Sequence, residues 1–165
     1  MMRLMALLAL AWVAASHAEE RKQADFADYR ATTHHRGIAA RPLLRTAQDR
    51  LYRSRIGEAA STGRVNFAGH YILTAIGCGA SCIMVFALDA DTGQVDWLPF
   101  SVSQGVDDNG FDTDIPPLDF RQDSRLLIVA GSRDEHGHGL YRYVLEHDRF
   151  RLLSAREDRP SGPGE

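Results

Sequence analysis

From Tyr71 onward the apolar residues come in short runs broken by glycine and aspartate, which predicts strands rather than helices. Residues 71–76 are rich in β-formers, residues 83–88 are continuously apolar, and residues 94–100 close around Trp97. Gly77-Cys78-Gly79 and Asp89-Ala90-Asp91-Thr92-Gly93 read as the turns between them, with glycine where positive φ is easiest. Residues 125–131, 140–145 and 150–153 repeat the pattern. Before the strands the period changes. Arg41-Pro42 predicts a helix start, proline being suited to the first turn. Leu44, Ala47 and Leu51 would share one face with Tyr52 and Ile56 beside them, opposite Arg45, Asp49, Arg50 and Arg53. The helix should end between Gly57 and Gly63.

The two β-rich tracts can be overlaid without gaps, residues 69–99 on residues 124–154. Tyr71-Ile72-Leu73 then faces Leu126-Leu127-Ile128, Val85-Phe86 faces Leu140-Tyr141, and Val95 and Trp97 face Phe150 and Leu152. Apolar character matches while identity is low, as in two copies of one three-strand meander. The expected fold is therefore mainly β, two duplicated antiparallel meanders with one N-terminal amphipathic helix, and Val85 and Leu140 both buried. Residues 120–130 resemble the opening of a β-propeller blade, a polar turn feeding an apolar inner strand. Two units are too few to close a propeller ring.

Domain organisation follows. Arg3, the apolar run 4–15 and Ser16-His17-Ala18 read as a secretory signal over residues 1–18. That run is too short for a membrane span, and Glu19-Glu20-Arg21-Lys22 follows directly. Residues 19–41 read as a loosely ordered lead-in, 42–157 as a single β-rich domain and 158–165 as a disordered tail. The expected compartment is periplasmic or secreted. A formal net charge of −3 over 165 residues argues against nucleic acid as the main partner.

Cys78 and Cys82, the two cysteines, have a spacing that fits a disulfide across a tight turn in an oxidising compartment. A redox-active pair of the thioredoxin type has two intervening residues at a helix start, and neither condition holds here. Asn66-Phe67-Ala68-Gly69-His70-Tyr71, followed by Gly77-Cys78-Gly79-Ala80-Ser81-Cys82, resembles a family of small exported bacterial proteins carrying these two motifs. The resemblance covers residues 51–97. It implies export and architecture but no mechanism.

His70 is the titratable side chain of the first motif, suited to a base or ligand, or to a hydrogen bond at a sheet edge. Asp107, Asp108, Asp112 and Asp114 crowd a loop around Gly110, and a partner surface or Ca²⁺ would suit them. Asp108, Asp112 and Asp114 are the candidate Ca²⁺ ligands, although the spacing is not that of an EF-hand. The bland alternative is a solvated acidic loop. His136 and His138 lie one residue apart, short of the three or four ligands zinc needs. Three functions stay open. One is a non-enzymatic binding or inhibitory module acting through surface loops on another envelope or secreted protein, such as a cell-wall enzyme. The others are a metal-dependent hydrolase using His70 or His136/His138, and a calcium-stabilised structural module.

Overall fold

The apolar runs form strands because both of their faces need cover, and the glycine and aspartate between them let the chain reverse. The computed structural model describes residues 24–79, 81–103 and 117–157. The strands are β1 (Tyr71–Gly79), β2 (Cys82–Asp89), β3 (Val95–Trp97), β4 (Val102–Ser103), β5 (Leu118–Phe120), β6 (Leu126–Arg133), β7 (His136–Glu146) and β8 (Arg149–Glu157). All pair antiparallel within one sheet. The fold is mainly β. Strands β1–β3 form the first meander and β6–β8 the second; the first two strands of each keep the register the repeat predicts, but the third do not, for Trp97 pairs with Phe86 while Leu152 pairs with Tyr143 and not with Tyr141. Strand β4 joins them, pairing with Cys82 and Ile83 on one side and with Ser132 and Arg133 on the other.

The sheet folds over so that the two meanders share a core. Tyr71, Leu73, Val85 and Ala87 of the first meet Leu127, Val129, Tyr141, Tyr143 and Leu145 of the second. Phe67 seals one end, stacked on Phe150 and edge-on to Phe120. Under the 55-residue offset of the overlay, the inward residues of the second meander correspond to Ile72, Phe86 and Leu88 of the first. Those residues point the other way, into a second cluster with Ile56 and Ala59. The front of one unit thus packs on the back of the other. Leu140 corrects an expectation here: Val85 is fully buried, but Leu140 faces outward and is only half-buried, with its neighbour Tyr141 in the core.

The helical segment also departs from its expected start. Residues 41–45 are not helical, and the helix begins as α1 (Ala47–Leu51), continuing after Tyr52 as α2 (Arg53–Thr62) with Gly63 as its cap. Thr46 and Asp49 form a reciprocal capping box that fixes the N-cap at Thr46, four residues beyond Pro42. Asp49 is accordingly buried, not solvated, and also accepts from the Trp97 indole at 2.9 Å. Burial works to raise its pKa, and the bonds from Thr46, Trp97 and Arg45 outweigh it and hold the group below the usual aspartate value. Leu51 is exposed, and the face that docks on the sheet is Ile56 and Ala59.

The described part of the lead-in is not loose. A 3-10 turn, Phe26–Tyr29, buries Phe26 beneath Arg121, whose guanidinium lies 4.2 Å from the ring centroid. Ala31 N donates to Asp123, His35 N to Gly69 and Ala40 N to Ala90. The sequence hides this because the ties are made by backbone groups, which carry no apolar period.

Candidate functional site

Each residue of the Phe67–Tyr71 motif has a physical reason to be there. Phe67 and Ala68 are buried, and Ala68 and Gly69 turn the chain through left-handed φ values of +48° and +79°. A Cβ on Gly69 would overlap the Thr33 carbonyl oxygen, so only glycine lets the lead-in pass this closely. Ala68 N and Gly69 N donate to Ser124 and Gln122, which clamps the turn to the second meander. His70 then stands half-buried at the rim, its Nδ1 2.8 Å from Thr33 Oγ1 and its ring 4.3 Å from that of Tyr71.

Strand pairing brings two carboxylates to that histidine. Tyr71 pairs with Asp89, and Ala90 N donates to the His70 carbonyl at 2.8 Å. One donor atom from each of His70, Asp89 and Asp91 lies within 4.8 Å of the other two. Asp89 is buried; one of its oxygens accepts from Asp91 N at 2.7 Å and Thr92 N at 3.2 Å, the other from Thr92 Oγ1 at 2.7 Å. Asp91 is exposed, and its Oδ1 lies 2.5 Å from His35 Nδ1. That bond is the main cause of the raised His35 pKa. Among the described residues this is the one group of three such side chains close enough to hold a metal ion.

A cleft of about 310 Å³ opens on the other side of His70, lined by Tyr71, Arg125, Leu145, Glu146 and His147. Arg125 and Arg151 both pair with Glu146, at 3.3 and 2.9 Å. These arginines, Arg151 first, hold the Glu146 carboxyl below its ordinary value. Tyr71 donates its hydroxyl to Asp148 at 2.6 Å, tying the first meander to the β7–β8 turn. Burial and then Asp148 push the Tyr71 hydroxyl far above its ordinary range. Asp96 on β3 is raised to about 6, by burial first and then by the charges of Asp148, Asp89 and Asp49.

Of the sequence candidates, His70 lies at this rim. Asp107, Asp108, Asp112 and Asp114, the signal 1–18 and the tail 158–165 lie outside the described residues. His136 sits on the β6–β7 hairpin with its Nδ1 2.5 Å from the Asp134 carbonyl, and His138 lies on the same strand. Neither belongs to a three-group cluster among the described residues. Cys78 and Cys82 are bonded to each other across the β1–β2 hairpin, a pairing suited to an oxidising, extracytoplasmic environment. No helix among the described residues is long and apolar enough to cross a membrane. His35, Asp89 and Asp91 escaped sequence reasoning: two sit in a segment read as an ordinary turn, the third in one read as loose. The chain matches no family model, no curated protein and no solved structure.

Proposed function

We propose that the chain works in the periplasm or outside the cell as a non-enzymatic binding module, with the rim around His70 as its contact surface. One observation carries this reading. Residues 68–71, Arg125 and residues 145–147 line one cleft there, and hydrogen bonds from residues 31–35 and 89–93 hold the His70 rim behind it in place. Preformed concave sites with a few fixed polar groups are what ligand recognition requires. A partner side chain entering the cleft would meet Arg125, Glu146 and two imidazoles, so the fitting partner is another exported protein presenting a polar loop. A block on a cell-wall enzyme is one form of that activity, by analogy alone.

The test is capture from an envelope extract with the exported form, which should begin at Glu19 by mass spectrometry. A partner retained by the wild type and lost with His147→Asn, which removes one cleft imidazole and tolerates the turn's left-handed φ of +50°, supports the reading. Equal retention by both proteins, or no retained partner, overturns it. A second reading, the metal-dependent hydrolase, is favoured by the His70, Asp89 and Asp91 trio alone. Zinc-dependent turnover of ester or peptide substrates, abolished by His70→Ala, is the result it requires.

A further inference from the structure

We infer that His70, Asp89 and Asp91 form a binding site for a divalent transition ion of the Zn²⁺ class. The inference is independent of whether a partner occupies the neighbouring cleft. The three donors come from two places that the fold holds together: the start of β1, and the turn that leaves β2. Their donor atoms lie within 4.8 Å of one another. Zn²⁺ at 2.0–2.2 Å from each ligand holds its donors roughly 3.4 Å apart, so the trio contracts by at most about 1.4 Å on binding. Asp91 can supply that movement, because its side chain is exposed while its backbone nitrogen is fixed by Asp89.

Each ligand is also oriented by a second group, as metal ligands are. Thr33 Oγ1 holds the His70 ring through Nδ1, Thr92 holds Asp89, and His35 holds Asp91. Charge points the same way. Two carboxylates converge on one imidazole, and Asp96 and Asp148 stand close enough to Asp89 or Tyr71 to be felt electrostatically. A cation relieves that repulsion. The donor set selects the ion, for Ca²⁺ takes 6–8 oxygens whereas an imidazole with carboxylates suits Zn²⁺ and its neighbours. Three protein ligands leave a coordination position for water or a partner's side chain. The bonded cysteines supply no thiolate, so the site is of the nitrogen–oxygen kind.

The experiment uses the exported protein, stripped with chelator and dialysed, and titrated with Zn²⁺ by calorimetry and with Co²⁺ by visible absorption. One equivalent of Zn²⁺ should bind. Co²⁺ should give the visible bands of a low-coordinate site, bleached by added Zn²⁺. His70→Ala and Asp91→Asn should each weaken Zn²⁺ binding at least 100-fold, and Thr33→Val about 10-fold, the size expected of an orienting partner. Asp91→Asn is the safeguard against misfolding, since its side chain is exposed and the turn uses its backbone. An unchanged thermal melt for that variant confirms an intact fold. Absence of one-equivalent Zn²⁺ binding overturns the inference, as does binding unaltered in both His70→Ala and Asp91→Asn. Binding of Ca²⁺ in preference to Zn²⁺ overturns it too, because the donor argument would then be wrong.

Discussion

Replacing Asp96 by asparagine should stabilise the protein at neutral pH and do nothing in acid. Asp96 lies in the middle of β3 opposite Ala87, on the face turned toward the shared core. Its Oδ2 is buried without a hydrogen-bond partner, and Gln94 Nε2 reaches Oδ1 only at 3.4 Å. The carboxyl is raised from 3.8 to about 6. In full that shift corresponds to about 3 kcal/mol of penalty on the ionised form. The group is only half-buried, and solvent screening reduces the figure to roughly 1–2 kcal/mol. The sign follows from proton counting. Between pH 3.8 and about 6 the folded state binds the Asp96 proton and the unfolded chain does not, so this group's contribution to stability falls as pH rises. Asparagine carries no charge at any pH, and its amide can donate where the carboxylate cannot. Urea unfolding of both proteins from pH 4 to pH 8, with the disulfide intact, reads the difference directly. The variant should gain about 1–2 kcal/mol above pH 7 and converge on the wild type near pH 4. A gap independent of pH, or a variant less stable at pH 8, would refute the reasoning.

Three further outcomes follow from the packing. Gly69→Ala should cost at least about 2 kcal/mol in chemical denaturation, because the added methyl meets the Thr33 carbonyl at a φ of +79°. Ile56→Ala, at a fully buried position under the helix, should cost about 2–5 kcal/mol by the same assay. The Cys78→Ser, Cys82→Ser double variant should lose about 2 kcal/mol yet keep its circular dichroism spectrum, since so short a loop limits the entropy a disulfide removes.

The repeat was legible for two strands and not for the third, and the register shows why. Tyr71 pairs with Asp89 and Ala75 with Val85; Leu126 pairs with Val144 and Ala130 with Leu140. Adding 55 to each first pair yields the second, so an ungapped overlay tracks the structure. The third strand enters through residues 90–94 in one unit but through the two-residue turn His147-Asp148 in the other. The ladder slips again at Arg142 and Tyr143. Phe86 therefore faces Trp97, whereas Tyr141 faces Ala155 rather than Leu152. Which face meets the other unit was illegible for a different reason. Tyr71-Ile72-Leu73 is apolar at every position because both faces are covered, and such a run carries no period-2 signal. At the site, His70 was legible as chemistry within a motif. Its partners were not, because Asp89 and Asp91 come beside it only through the β1–β2 register, and His35 only through backbone ties that no side-chain pattern records.

The front-to-back packing of the two meanders has a consequence for solubility. A two-fold pair hides the same surface twice and is finished; a front-to-back pair leaves one adhesive surface at each end and can extend without limit. Here the chain supplies a stopper at one end. Helix α2 covers Ile72, Phe86 and Leu88 and so closes the otherwise exposed back of the first meander. Terminal caps of this kind keep repeat proteins from polymerising. The segment before the first strand thus acts as an end-plug, and a chain cut back to Val65 would present a bare apolar back to the next molecule's front.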